Sequence, residues 1–173
     1  GGGGFMLYFD KKNSNLFFYD GREIAPKNIK KEYFLDQNGN PLDFFDTAVG
    51  GLSIGVPGLL AMLEIVHRNH GTKKWSELFV PAINLSKNGF VVSNRLHKLI
   101  KKDKYLYLIP KSREYFYDSQ NDPIKIGSKL KNLEFANTLR IISKNGAKEF
   151  YEGVIAKKTI YTINNSPYRK GVM

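Results

Sequence analysis

Three groups of residues have the types and spacing for chemistry. Asp20-Gly21-Arg22-Glu23 places three charges and a glycine at the end of the aromatic run Leu16-Phe17-Phe18-Tyr19. An arginine leaving a strand offers a planar fork for a carboxylate or phosphate, and the glycine before it points to a close backbone approach. The opposing reading is structural: Arg22 pairs with Asp20 or Glu23 and finishes the strand. Chemistry alone favours that second reading, since charges at strand ends are usually structural. Gly51-Leu52-Ser53-Ile54-Gly55 matches the G-x-S-x-G nucleophile elbow, which needs a helix straight after the serine. Here Gly55-Val56-Pro57-Gly58 intervenes, and His67, His70 and His97 all precede Asp103, Asp118 and Asp122, the wrong order for that triad. A tight glycine turn packing a helix against a sheet is the favoured alternative. His67 and His70 lie three apart without a third ligand and read as exposed residues at a helix end.

The elements that must position these residues are legible in the periodicity. The apolar runs at residues 5–9 and 16–19 flank Lys11-Lys12-Asn13-Ser14-Asn15, a turn of hairpin length and composition. Both runs are apolar on two faces, the pattern of central strands in a covered sheet. Asp36-Gln37-Asn38-Gly39-Asn40-Pro41 is a turn. Pro57 sits as an early helical residue and residues 59–66 read as an apolar helix, closed by Gly71 with His67, Arg68 and His70 in its last turn. Residues 75–79 predict a short helix, with Pro81 starting the next. Ser86-Lys87-Asn88-Gly89 and Ser143-Lys144-Asn145-Gly146 repeat one stop signal, a left-handed glycine cap. Ser93 can cap a helix from Asn94 to Lys102, and a last helix is expected over residues 153–164. Residues 105–109 and 115–117 fit strands or aromatic packing segments equally. Trp75, Tyr105, Tyr107, Tyr115 and Tyr117 read as packing rather than a base-stacking platform.

Composition narrows the class. The chain has 173 residues, 42% of them hydrophobic and 13% aromatic, values of a globular protein. Its length suits one domain burying roughly 70% of its unfolded surface. No run reaches the ~18 apolar residues of a membrane span. With no cysteine there is no disulfide, thiolate nucleophile or cysteine zinc site. The net charge of +11 comes from lysines scattered through every segment, without the basic stripe of a nucleic-acid binder. The four opening glycines, without an initiator Met, look like the interior of a longer protein.

Five separated blocks resemble, in order, the large subunit of the γ-glutamyltransferases (glutathione hydrolases). They are residues 1–9 with Asp20-Gly21-Arg22-Glu23-Ile24-Ala25-Pro26; Val49-Gly50-Gly51-Leu52-Ser53-Ile54-Gly55-Val56-Pro57-Gly58; Trp75-Ser76-Glu77-Leu78-Phe79-Val80-Pro81-Ala82-Ile83 with Gly89-Phe90 and Val92-Ser93 behind; residues 132–139 with Gly146; and Phe150-Tyr151-Glu152-Gly153 with Ser166-Pro167-Tyr168. The resemblance is weakest at residues 101–126, and Leu133 stands where that family commonly has proline.

The resemblance implies an α+β fold, part of the αββα sandwich of N-terminal-nucleophile hydrolases. Residues 1–173 would form a single partial domain, with a core β-hairpin at 1–26 and a mostly helical lobe at 57–173. It implies an enzyme that cleaves γ-glutamyl amide bonds, as in glutathione and its conjugates. The γ-glutamyl group would pass to water, an amino acid or a peptide. A precursor cleaves itself in that family, and the new N-terminal threonine of the small subunit attacks. Arg22 falls at the arginine that holds the substrate α-carboxylate, which reverses the preference stated above. No threonine here (Thr47, Thr72, Thr138, Thr159, Thr162) has a processing context. The chain alone is therefore expected to lack the catalytic residue and to be inactive without the small subunit as partner. No cofactor, metal or nucleic acid is implied, and the location implied is periplasmic or otherwise extracytoplasmic. The alternative is a non-catalytic remnant or carboxylate-binding module that kept Arg22.

Overall fold

Strand β1 (Phe5–Asp10) pairs antiparallel with β2 (Asn15–Asp20), Leu7 opposite Phe18 and Tyr8 opposite Phe17. Asn15 joins the second strand, so the turn is one residue shorter than its sequence suggests. The Asp10 carboxylate accepts from the Lys12 backbone N–H at 3.0 Å and the Asn13 side-chain amide at 2.7 Å, closing it. The computed structural model describes residues 2–173. Its contacts gather the chain into two units, residues 1–78 with 142–173, and residues 79–141.

In the first unit, alternation sends Met6, Tyr8, Phe17 and Tyr19 to one face of the hairpin. That face receives the end of α2 (Leu59–His70): His70 stacks on Tyr8 at 3.9 Å, and its Nε2 meets the Tyr19 hydroxyl at 2.7 Å. On the other face Phe5, Leu7, Phe9, Leu16 and Phe18 are 59–66% exposed. The covered-sheet reading therefore holds on one side only within this chain. Leu52, Met62, Val66, Ile142, Ala147 and Ile163 are the buried apolar residues of this unit. Around them lie the short helix α1 (Phe44–Ala48), α7 (Lys148–Tyr151) and α8 (Val154–Asn164).

Helix α3 (Trp75–Asn88) is continuous, where sequence alone divides it at Pro81. The missing Pro81 N–H frees only the Glu77 carbonyl, and both residues are exposed, so water can satisfy it. Gly89 after α3 and Gly146 after α6 (Leu133–Asn145) have φ of 82° and 79°, the left-handed caps read from the repeated Ser-Lys-Asn-Gly. Gly71 ends α2 differently, with φ −69° and extended backbone.

The second unit is built on buried Val92, Ile100, Leu130 and Ala136. Its two-residue strands β3 (Phe90–Val91) and β4 (Lys129–Leu130) pair antiparallel. Helix α4 (Asn94–Lys102) starts where expected, the Ser93 Oγ accepting from the Leu96 N–H at 3.1 Å. Residues 105–117 settle as aromatic packing: a 3-10 turn at Leu106–Leu108, then α5 (Pro110–Phe116). Tyr107 meets Tyr117 edge-on at 5.3 Å, with the Arg113 guanidinium 5.2 Å over the Tyr107 ring. Burial, first among the causes, pushes the Tyr117 hydroxyl above its ordinary pKa.

Candidate functional site

Arg22 sits one residue past the last rung of the hairpin. Gly4 and Gly21 extend the ladder beyond Asp20, exchanging N–H···O bonds of 3.2 and 2.9 Å. Two residues beyond Arg22, Ile24 and Val56 exchange bonds of 3.1 and 2.8 Å. The interval carrying Arg22 and Glu23 is thus fastened at both ends. Its backbone is held from within as well, because Asp20 Oδ1 accepts the Arg22 N–H at 2.8 Å.

The Asp20 carboxylate is therefore spent on the backbone of Arg22 and not on its guanidinium. Among the described residues the ion pairs are Arg68–Glu64, Lys111–Glu114 and Lys148–Glu152, and neither Asp20 nor Glu23 pairs with Arg22. Arg22 is exposed. A free guanidinium on a fixed backbone can take a carboxylate in two-point fashion without first breaking an internal pair. Glu23 instead lines an open cleft of about 660 Å³ with Ser53, Ile54, Pro57, Phe150 and Lys158.

The remaining sequence candidates resolve into structural roles. The Ser53 hydroxyl donates to the Ala48 carbonyl at 2.8 Å, and α2 begins only at Leu59, so no strand–serine–helix elbow exists. Gly51 packs against the Ile163 carbonyl, and its N–H donates to the Arg169 carbonyl at 2.6 Å. This turn joins the end of α8, and its continuation at Gly58, the cap of α2, lies against the Gly21 and Arg22 backbone at the end of the hairpin. His67 and His70 are half-buried, a correction to their reading as exposed residues. The His67 ring lies 5.2 Å from Trp75 and its Nε2 bonds the Lys73 carbonyl at 2.8 Å; His70 packs on the hairpin aromatics. Among the described residues no three His, Cys, Asp or Glu side chains gather as a metal site.

Sequence reasoning missed Tyr151. Its hydroxyl donates to the Pro57 carbonyl at 2.8 Å and accepts the Ala61 N–H at 3.1 Å. Ala61 is the third residue of α2, whose cap position is Gly58 and has no side chain to offer. Tyr151 supplies the missing cap from ninety residues away in sequence. Ala147, before α7, is treated likewise: Glu64 Oε1 accepts its N–H at 2.8 Å. A tyrosine in Phe-Tyr-Glu-Gly was visible, but nothing in the sequence says which helix it serves.

The fold, mixed helix and strand, is that of part of an N-terminal-nucleophile hydrolase, the class of its solved structural neighbours. The solved γ-glutamyltranspeptidase of Helicobacter pylori matches with a TM-score of 0.86 at 32% identity, over 99% of this chain and 49% of that one. The family model described as Gamma-glutamyltranspeptidase matches residues 1–173. The chain belongs to the γ-glutamyltranspeptidase family. The glutathione hydrolase proenzyme of Bacillus subtilis (strain 168) is 32% identical over 95% of the chain. That of Escherichia coli (strain K12) is 34% identical over 91% of it. The chain spans 28% and 27% of the lengths of these two relatives.

Proposed function

We propose that this chain is part of an enzyme that cleaves γ-glutamyl amide bonds, in which Arg22 binds the donor's α-carboxylate. The observation that carries this reading is the exposed, unpaired guanidinium on a backbone fastened at both ends. Family membership supplies the reaction. A threonine hydroxyl outside this chain attacks the γ-carbonyl, its proton passing to the threonine α-amine and then to the departing amine. Water or an acceptor amine then resolves the γ-glutamyl ester. The part of this chain is to bind and orient the donor, not to form bonds.

The partner in this reading is a small subunit headed by that threonine and derived from the same precursor. The five exposed apolar residues on one face of the hairpin support it, because a sheet face of this composition is stable when another layer covers it. Extracytoplasmic location belongs to the same reading; no helix among the described residues is long and apolar enough to cross a membrane.

Loss of a charge-assisted bond of this kind costs about 1.5–3 kcal/mol. Arg22→Ala in the complete enzyme is therefore expected to raise KM for a γ-glutamyl anilide about tenfold to a hundredfold. A donor lacking the α-carboxylate, the 4-aminobutyryl anilide, should be insensitive to the substitution. Unchanged KM for the γ-glutamyl donor refutes the role of Arg22. A second reading, a carboxylate-binding module without catalysis, uses the same free guanidinium. Intact-mass spectrometry of what co-purifies with the chain separates the two: a partner with a free N-terminal threonine marks the enzyme, and a species carrying this sequence without such a partner marks the module.

A further inference from the structure

Resting on that reading of Arg22, we propose that Gly3, Gly55 and Gly58 are positioning residues that set where the arginine stands. At Gly3 and Gly58 the backbone of residues 21–24 occupies the space a side chain would need, and at Gly55 the Ile24 carbonyl and the Glu23 side chain crowd it. A β-carbon on Gly3 would lie 2.6 Å from the Arg22 Cα and 2.8 Å from the Glu23 nitrogen, and would also strike the Glu23 carboxylate. One on Gly58 would lie 2.6 Å from the Arg22 carbonyl oxygen and 2.7 Å from that of Gly21. One on Gly55 would lie 3.0 Å from the Ile24 oxygen and 3.2 Å from the Glu23 Cβ.

Conformation does not explain these glycines. Gly58 has φ −102° and ψ −19°, an ordinary helical geometry open to any residue, and neither Gly3 nor Gly55 has positive φ. The requirement is room alone, and what fills the room is mainly backbone, which cannot rotate aside as a flexible side chain can. Gly3 and the Gly55-Val56-Pro57-Gly58 loop therefore press on the arginine's segment from two separate stretches of chain. Hydrogen bonds at Gly21 and Ile24 fix the ends of that segment. The glycine contacts fix its depth.

Gly4 is a built-in comparison. A β-carbon there would meet only the Leu59 Cδ1, at 3.0 Å, the tip of a side chain that can turn away. In the complete enzyme, Gly3→Ala is expected to raise KM for a γ-glutamyl anilide by roughly tenfold, the scale of a misplaced binding group, with kcat changed less than about twofold. Gly4→Ala keeps the main-chain bonds to Gly21 and should leave both within about twofold. A merely structural role for Gly3 would not distinguish donors; a positioning role should vanish with the 4-aminobutyryl anilide and add nothing to Arg22→Ala. If Gly3→Ala does not yield folded enzyme, Gly55→Ala, a milder intrusion, should shift KM the same way by about twofold to fivefold. If Arg22→Ala raises KM while Gly3→Ala and Gly55→Ala leave it unchanged, the positioning role is overturned and the carboxylate site stands. Effects of Gly3→Ala that multiply with those of Arg22→Ala also overturn it. Arg22→Ala without effect on KM overturns both.

Discussion

Replacing Tyr151 by phenylalanine isolates a single hydroxyl group. The ring and its edge-on contact with Phe150 at 5.1 Å can remain, while two hydrogen bonds, to the Pro57 carbonyl and from the Ala61 N–H, disappear together. Neither partner has a substitute: Gly58 has no side chain, and Ala61 lies in the part of α2 that no intrahelical carbonyl reaches. A half-buried donor and acceptor left unpaired cost roughly 1–3 kcal/mol. For a chain of this length that corresponds to a fall in Tm of roughly 3–10 °C. Differential scanning fluorimetry gives the global number, and amide exchange localises it, with Ala61 and its neighbours expected to lose protection before α8 does. Tyr161→Phe is the matched control, because Tyr161 is 71% exposed and its side chain should contribute little. An unchanged Tm together with unchanged protection at Ala61 would refute remote capping of α2.

Two further outcomes follow from local geometry. Glu64→Leu removes the acceptor of the buried Ala147 N–H and should destabilise by about 1–3 kcal/mol, measurable by urea denaturation; Glu64→Gln, which keeps an oxygen, should recover most of it. The Asn13 side-chain amide, followed by the backbone N–H groups of Lys12 and Asn13, holds the Asp10 carboxyl below its ordinary pKa. A lowered folded-state pKa contributes stability that is present above the unfolded value and is lost as pH falls through the folded one. The Lys12 and Asn13 amide resonances should shift together as pH drops below the usual carboxylate range of about 4, and Asp10→Ala should abolish the transition.

What could be read in advance follows from the reach of each interaction. The hairpin, the Ser93 cap and the two Ser-Lys-Asn-Gly stops are local in sequence, and all appear where residue chemistry places them. The helix over residues 110–116 carried a usable signal, Pro110 at its first position, hidden by β-favouring aromatics on both sides. Pro81 misled because a proline's cost depends on whether its orphaned carbonyl is wet, a fact of burial rather than sequence. His70 and Tyr151 act on partners more than fifty residues away, so their roles stay invisible until the chain is folded. Arg22 was legible as a charge at a strand end. That Asp20 engages its backbone and leaves its guanidinium free was not.

The interval between the Gly4–Gly21 and Ile24–Val56 bonds has a consequence for how this chain can change length. Two residues span the gap, each fastening exchanges a pair of bonds, and Gly3, Gly55 and Gly58 crowd it. One residue inserted there would reverse the side on which an arginine emerges; one deleted would pull Ile24 off Val56. The Lys11–Ser14 turn, exposed and bonded to Asp10 of β1, tolerates lengthening at little cost. A tag or reporter belongs in that turn, where it can report on the hairpin without altering the spacing that presents Arg22.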